Sequence, residues 1–516
     1  MKKRFVKLAL LSAVLFAAAP AFAQSVDDKI KTLEQELSQL KDQQVELKKE
    51  ATAAAAALPT FEYRPGNGLN IEAADKAWGL RFTVETHFRY EFESGLTQQG
   101  RSTAELMGRR FRPGVFYCIN NCLWEIEATL DLDGFGTGNG KNSLNTATSS
   151  MLQRGAVNFH AENLHPFLPT VQFGMEVQNA FGSSLSRQGS GAVGAQAEYD
   201  LISRNNGFNT GRAGQGIVLN WQDRSLAGIG VPGRIGLFQI SASSIGEADD
   251  GLSSFKQGGK NWNLYGSIQP FSQIKNKWIS GLTFEAGNWF CNVDTRGSSV
   301  QNGCGSFSIQ DHGDGGRQSL ISSGALGKGW VFTRAAGIVY NVGPQTFRLA
   351  YTKESGADDG GTRAHKESKG WLIGSDTYLW SPKGFLTGSS TTPGSILFGT
   401  HFERANLDVD CTNKSTVGGA NGGINCAATG IGGTITQFHR NTVLLREWDL
   451  WYFVAPRMSI GTNILWYNAT NLGNQVGQAG YNLGLCSKTN VGNNTNCRSG
   501  EGGDWIDVML NWRYTF

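Results

Sequence analysis

The segment 179–215 is rich in Gly, Ser and Asn, and its charged residues are three arginines and two carboxylates. Guanidinium groups attract anions, and a ring of them around a narrow passage favours anions over cations. A segment of this length without its own secondary structure is usually functional or disordered. The alternative is that the arginines are solvated or pair with the carboxylates. The residues concerned are Arg187, Arg204, Arg212, Glu198 and Asp200.

A second set of charges alternates with apolar residues along extended stretches. Between residues 80 and 93, polar or charged residues occupy every odd position, and apolar residues or threonine occupy every even one. Successive side chains of a strand point to opposite faces, so such a strand has one oily and one wet face. A charge that faces lipid at the middle of a membrane barrel costs roughly 2–4 kcal/mol. This cost predicts that six charged residues line an inner wall: Arg81, Glu85, Arg89, Arg348, Arg446 and Arg513.

Sixteen segments of this kind follow one another from residue 80 to residue 516. An even number of strands is typical of bacterial single-chain barrels, and sixteen strands enclose an aqueous channel. The connections after odd-numbered strands are long, whereas most of the others are short turns. The sequence therefore predicts an all-β fold, a 16-stranded antiparallel transmembrane β-barrel over residues 60–516. The predicted strands are 80–93, 109–117, 123–132, 153–161, 170–178, 216–223, 234–243, 261–270, 278–290, 329–341, 345–354, 368–379, 395–406, 436–454, 457–468 and 504–516.

In such a barrel, the segment 179–215 is the third long connection. It is too polar to lie in lipid, so we expect it to fold into the lumen and narrow the pore. Its three arginines and two carboxylates would then form a slightly positive pore constriction. The mixed signs along the predicted inner wall indicate a weak field rather than a dedicated path for anions.

The N-terminal part of the sequence predicts two further segments. A basic start, an apolar run and Ala21-Phe22-Ala23 predict a signal peptide over residues 1–23. Residues 24–59 are predicted to form a periplasmic coiled-coil helix and linker, which Pro59 ends. This helix either associates with further copies of itself or acts as a solitary spacer. Its apolar heptad positions are Val26, Ile30, Leu33, Leu37, Leu40 and Leu47.

The last predicted strand has Ile506, Val508, Leu510, Trp512, Tyr514 and Phe516 on one face. The alternative to a membrane strand is an edge strand of a soluble β-domain. The stretch resembles the closing strand of bacterial outer-membrane barrels. That resemblance implies an assembly signal of three aromatic residues, Trp512, Tyr514 and Phe516, which the barrel-assembly machinery reads.

The eight cysteines fall into neighbouring pairs, which favours disulfides in an oxidising compartment. Zinc is the competing interpretation, but no CxxC occurs and histidines at ligand spacing are missing. The seven histidines accompany no nucleophile motif, so neither an enzyme nor a metal or other cofactor is predicted. The predicted disulfide cysteines are Cys118 with Cys122, Cys291 with Cys304, Cys411 with Cys426, and Cys486 with Cys497.

Five short motifs over residues 60–516 occur in the order found in the phosphate-selective porin O and P family, which the chain resembles. They are Arg109–Gly114, Val171–Val177 with Phe181–Ser184, Glu198–Arg212, Trp371–Ser375 and Phe398–Arg404. The resemblance implies a trimeric outer-membrane channel with an N-terminal coiled coil and a third loop that folds inward.

These patterns together predict a porin in the bacterial outer membrane for passive diffusion of small hydrophilic solutes and ions. A preference for anions or phosphate is a further hypothesis. The alternative function is a structural protein that links the membrane to the cell wall through its coiled coil. The expected partners are two further copies in a homotrimer, outer-membrane lipid, the barrel-assembly machinery, peptidoglycan and small ionic solutes. The 46 basic and 43 acidic residues form no concentrated basic footprint, so nucleic acid is not expected.

Overall fold

The computed structural model describes sixteen ranges of the chain. None of the helices in these ranges is long and apolar enough to cross a membrane. The predicted signal peptide, the segment 179–213 and part of each other long connection lie outside these ranges. The described residues are 26–56, 58–64, 67–94, 103–130, 132, 152–176, 214–244, 260–294, 306–310, 319–325, 328–357, 364–382, 392–411, 437–438, 442–470 and 503–516.

A single long helix, α1 (Val26–Ala56), precedes the strands. It ends three residues before Pro59, a residue that cannot continue a helix. Its leucines at predicted heptad positions are exposed to solvent: Leu33 by 62%, Leu37 by 54%, Leu40 by 54% and Leu47 by 65%. These leucines form a stripe of exposed apolar side chains along α1, and their association with further copies stays a prediction.

Sixteen antiparallel strands form one sheet, as the sequence predicted. The strands are β3 (Trp78–Ser94), β4 (Thr103–Ile119), β5 (Trp124–Leu130), β6 (Leu152–His160), β7 (Thr170–Glu176), β8 (Gly214–Ser225), β9 (Arg234–Ser244), β10 (Lys260–Gln269), β11 (Leu282–Asp294), β14 (Lys328–Val342), β15 (Gln345–Ala357), β16 (Ala364–Trp380), β17 (Ile396–Cys411), β19 (Thr442–Ala455), β20 (Met458–Thr470) and β21 (Gly503–Thr515). The sheet is closed, because its last strand, β21, pairs with its first strand, β3, along ten residue pairs.

Five short strands lie outside this set. They are β1 (Thr60–Arg64), β2 (Gly68–Glu72), β12 (Ser306–Gln310), β13 (Ser319–Ala325) and β18 (Gln437–Phe438). Four of them were not predicted, and the fifth, β18, lies within the predicted strand 436–454. The boundary predicted at residue 278 was also wrong, because residues 270–281 form turns and β11 begins at Leu282. We call the end of the barrel with turns such as 120–123 and 456–457 the short-turn end, and the opposite end the long-connection end.

The outward face of the sheet is apolar, and its rows of cross-strand partners climb around the barrel. One row begins at Leu80, near the short-turn end of β3, and ends at Ser355, near the long-connection end of β15. Tilted, staggered strands produce this climb in a closed barrel. The row passes through Tyr117, Ile126, Val157, Phe173, Ile217, Ala242, Trp262, Phe290 and Phe332.

A disulfide joins Cys118 and Cys122 across the turn between β4 and β5. Asn120 and Asn121 in this turn have φ values of 54°, in the left-handed region that asparagine tolerates well. The other predicted disulfides involve Cys291, Cys304, Cys411, Cys426, Cys486 and Cys497, which lie outside the residues whose side chains are described. Those three pairings stay predictions.

The β1–β2 hairpin lies where the first and last strands of the barrel meet. β2 pairs with β3 at residues 79–82, just beyond the part of β3 that pairs with β21. The ring of Tyr63 in β1 stacks on Phe516 at 5.1 Å, and its hydroxyl is 2.9 Å from the Tyr514 hydroxyl. Two of the three residues predicted to form an assembly signal thus contact this hairpin, while Trp512 stacks on Phe88.

Candidate channel wall

Side chains on the inner face of the sheet form two connected polar systems, and the first contains charges. Arg348 on β15 forms an ion pair with Asp376 on β16. His401 on β17 lies between two carboxylates, with its Nε2 atom 3.3 Å from Asp376 Oδ1 and 3.4 Å from Asp449 Oδ2. Arg348, Asp376, His401 and Asp449 are each at most 3% exposed. The Arg348 guanidinium and the Asp376 carboxylate therefore lie next to each other in a position removed from bulk water.

The same system continues onto three more strands. Asn463 on β20 donates a hydrogen bond to Asp449, and Asn511 on β21 donates to Asn463 Oδ1 at 2.7 Å. Arg89 Nε on β3 donates to Asn511 Oδ1 at 2.9 Å. We call these seven residues, one from each of seven adjacent strands, the charged network. They are Arg348, Asp376, His401, Asp449, Asn463, Asn511 and Arg89.

The second system crosses six adjacent strands and consists almost entirely of amides. It begins at Glu125 on β5, and each later residue donates a hydrogen bond from its side-chain nitrogen to the oxygen of the residue before it. The distances along the chain of donors are 3.1, 3.0, 2.5, 2.8 and 3.0 Å. We call it the amide ladder. Its amide members are Asn158, Gln172, Asn220, Gln239 and Asn263.

Two inward glycines make room for large neighbours in the wall. A Cβ atom on Gly374 would lie 2.7 Å from Nδ1 of His401, and one on Gly461 would lie 2.2 Å from the Trp451 ring. Real Cβ contacts are longer than this, so a side chain at either position would require the neighbouring ring to move. Trp451 belongs to an inward apolar cluster with Tyr378, Leu397 and Phe453. Arg513 lies over the Trp451 ring at 3.8 Å.

Five of the six predicted wall residues lie on inward positions: Arg81, Glu85, Arg89, Arg348 and Arg513. Arg89 and Arg513 are fully buried, whereas the Arg81 side chain is 31% exposed and donates a hydrogen bond to Asn67. The predicted constriction residues Arg187, Arg204, Arg212, Glu198 and Asp200 lie outside the described residues, so their position stays a prediction.

The prediction for Arg446 is corrected by the structure, because this residue lies on the outer face of β19. Its neighbour Glu447 is buried on the inner face. Arg446 lies on the outer face together with Trp448, Leu450 and Tyr452. Two consecutive charged residues in a strand must lie on opposite faces. The guanidinium takes the outward place with its Cζ atom 4.6 Å from the Trp466 ring centre.

The described inner wall contains more carboxylates than arginines, which the sequence analysis did not recognise. The inward arginines are Arg81, Arg89, Arg110, Arg112, Arg348 and Arg513. The inward carboxylates are Glu85, Glu91, Glu125, Glu127, Glu285, Glu354, Asp376, Glu403, Glu447, Asp449 and Asp507. Most of these carboxylates are assigned to the inner face if every second residue is counted from the outward aromatic residues of each predicted strand.

No protein-family model and no curated protein matches this chain. Solved structures of similar fold include OmpT, an outer-membrane protein of Vibrio cholerae in a trimer form, with 8% identity, a TM-score of 0.48, and coverage of 85% of this chain and 100% of that one. An anion-selective porin from Comamonas acidovorans has 9% identity, a TM-score of 0.43 and coverage of 85% and 100%. The outer-membrane channel DcaP of Acinetobacter baumannii has 8% identity, a TM-score of 0.43 and coverage of 85% and 98%.

These TM-scores are below 0.5, so the likenesses carry no argument about solute, assembly or activity. The class of protein follows from the chain itself. A closed antiparallel sheet of sixteen strands with an apolar outer face and a polar inner face defines a bacterial outer-membrane β-barrel with the architecture of a porin. The resemblance to phosphate-selective porins stays a prediction.

Proposed function

We propose that the protein is a passive diffusion channel for small hydrophilic solutes and ions, and that it has no enzymatic role. The observation that carries this proposal is the polar inner wall, in which the charged network and the amide ladder together cross thirteen of the sixteen strands. A barrel of this size encloses more space than wall side chains alone can fill. The inward positions carry polar and charged side chains, whereas the outward positions are mostly apolar, and this is the arrangement of a barrel with a polar interior.

Two groups of residues would influence the ion preference in opposite directions. The excess of carboxylates on the described wall favours cations, because fixed charges concentrate ions of opposite sign. Arg187, Arg204 and Arg212 would favour anions if segment 179–215 folds into the lumen. We propose that this loop, rather than the wall, sets the preference, since wall charges pair with one another in the charged network.

Reversal potentials in a salt gradient across a planar bilayer test both the channel and the role of segment 179–215 in its ion preference. We expect stepwise conductance and a reversal potential that shifts toward cations in the R187A/R204A/R212A variant. The wall variant E403Q/E447Q is the matched comparison and should shift the potential less. A stably inserted protein without conductance would contradict the channel. A larger shift in the wall variant would assign ion preference to the wall instead.

The exposed leucines of α1 support a second candidate function, a link between the outer membrane and the cell wall. A helix of this length is marginal in water by itself, so its apolar stripe favours association with further copies. We propose a homotrimer on this basis, with peptidoglycan as the partner of the helix bundle in the linking function. Sedimentation of full-length protein with purified peptidoglycan separates this role from transport.

A further inference from the structure

Five basic side chains lie on the outer face of five adjacent strands, β14, β15, β16, β17 and β19. We call them the cationic belt: Arg334, Lys353, Lys369, Arg404 and Arg446. Arg334 and Arg404 are exposed, and the side chains of Lys353 and Lys369 are 40% and 42% exposed. On β3 and β21, by contrast, the outward positions from 80 to 92 and from 506 to 514 are apolar, aromatic or threonine. The belt therefore occupies one side of the barrel.

Strand register places the belt at one level. Lys353 pairs with both Arg334 and Lys369. Arg404 lies two residues nearer the short-turn end than Asn406, the partner of Lys369, and Arg446 lies two residues nearer that end than Leu444, the partner of Arg404. Because a row of partners climbs from β3 toward β15, such steps are needed to stay level around a tilted wall.

This level is the boundary of the apolar outer face. Toward the short-turn end, the belt is followed by exposed residues such as Leu349, Leu450 and Ile373. Toward the long-connection end, the outward positions become polar on β15, β16 and β17, as in Ser355, Glu367 and Asn406. On β14 and β19 the next outward residues are Phe332 and Leu444. Aromatic rings lie within the same band, among them Trp371, Phe402, Trp448 and Trp466. Aromatic rings gather where hydrocarbon meets headgroups, and at that level a lipid-facing arginine costs far less than at the middle of the membrane.

The belt keeps most of its positive charge. Glu367 is an acidic neighbour of the two lysines, with carboxylate oxygens 2.8 Å from Lys353 Nζ and 3.4 Å from Lys369 Nζ. Among the described residues, neither Arg334, Arg404 nor Arg446 has a carboxylate within ion-pair distance. The ring of Trp466 holds the Arg446 guanidinium at the surface and leaves its N–H groups for a ligand.

We propose that the cationic belt binds the phosphate groups of an anionic lipid in the surrounding outer leaflet. Guanidinium groups match phosphate oxygens with two parallel hydrogen bonds, and the lysines add further positive charge. A lipid presents its phosphates at the belt while its acyl chains cover Leu349, Leu450 and their neighbours. The proposal rests on the membrane barrel and does not depend on conductance through it.

Two other occupants are less favoured by the same residues. A second copy of the chain would have to place carboxylates against three arginines, and the outer faces of β3 and β21 supply none between residues 80–92 and 506–514. Free inorganic phosphate would gain nothing from the apolar face next to the belt. An amphiphile with phosphate at the level of the belt satisfies both parts of the surface.

The test is native mass spectrometry of the full-length barrel in detergent, with diphosphoryl lipid A as the probe. The R334Q/R404Q/R446Q variant removes three charges from the belt. Its matched control, R234Q/K275Q/K277Q, removes three charges near the short-turn end, where Arg234 begins β9 and Lys275 and Lys277 lie in the turn before β11. A difference in gel migration between heated and unheated samples verifies that each variant is folded.

We expect the belt variant to bind diphosphoryl lipid A at least about tenfold more weakly than the parent, because three guanidinium groups lose their attraction to the lipid phosphates. The control variant should bind like the parent, and monophosphoryl lipid A should bind the parent more weakly. Equal binding by the belt variant and the parent would overturn the proposal. So would equal affinity for inorganic phosphate, or a loss of subunit association with unchanged lipid binding.

Discussion

The charged network and the amide ladder occupy the same face of the same sheet but differ in what each link costs to break. Every link of the amide ladder after Glu125 joins neutral groups, so its loss leaves at most an unsatisfied dipole. In the charged network, the loss of Arg348 removes the ion-pair partner of the buried Asp376 carboxylate. A buried charge without its partner is far more costly than a buried amide.

The comparison also indicates how each region acts on a solute. The amide ladder carries no net charge after Glu125, so although its dipoles add head to tail, its field falls off faster with distance than that of a fixed charge. The charged network holds both signs next to each other, so its field is strong locally and weak at a distance. A change in one region should therefore alter stability, while the overall ion preference changes less.

The largest effect is expected for Arg348→Met, which keeps an unbranched stem and removes the guanidinium group and its charge. Asp376 then loses its ion pair in a buried position, and we expect the free energy of unfolding to fall by about 3–5 kcal/mol. Urea unfolding of the barrel in lipid vesicles measures this value. The double variant R348M/D376N should recover part of the loss; no recovery would show that packing rather than charge was removed.

A smaller effect is expected for Gln172→Leu in the amide ladder. The change leaves Asn158 Oδ1 without a donor and Asn220 Nδ2 without an acceptor at that site, for an expected loss of about 1–3 kcal/mol. The same urea titration measures it. If this loss equals that of Arg348→Met, the distinction between the two regions would be wrong.

The smallest effect is expected at the exposed hairpin, which gives a reference for the two buried regions. Tyr63→Phe removes one hydrogen bond to Tyr514 and should cost at most about 1 kcal/mol. That hydrogen bond also raises the pKa of Tyr63 to about 12. The contribution of this hydrogen bond to stability is complete below a pH of about 10, the pKa of tyrosine in the unfolded chain. It is lost as the pH rises toward about 12.

The pH dependence can be measured as the difference in unfolding midpoint between the parent and Tyr63→Phe across this range. We expect the difference to shrink with rising pH, because only the parent loses a hydrogen bond. A difference that stays constant up to about pH 12 would contradict the assignment of this contact.

The contrast between β3 and β19 explains how much of the wall the sequence could predict. On β3, polar and apolar residues alternate without interruption, so the inward positions of Arg81, Glu85 and Arg89 followed directly. On β19, Val443 and Leu445 are inward although apolar, and Arg446 is outward although charged. Polarity alone assigns the two faces of such a strand wrongly. The outward residues Trp448, Leu450, Tyr452 and Val454 show which alternate positions face lipid.

The sequence by itself determined the number of barrel strands, the apolar outer face and most of the inward charges, because a strand repeats every two residues and lipid admits one kind of face. Only the tertiary structure decided which inward side chains meet. The partners in the charged network come from strands as distant in sequence as β3 and β21, and their contact depends on the stagger of the closed sheet. The same stagger brings the five residues of the cationic belt to one level.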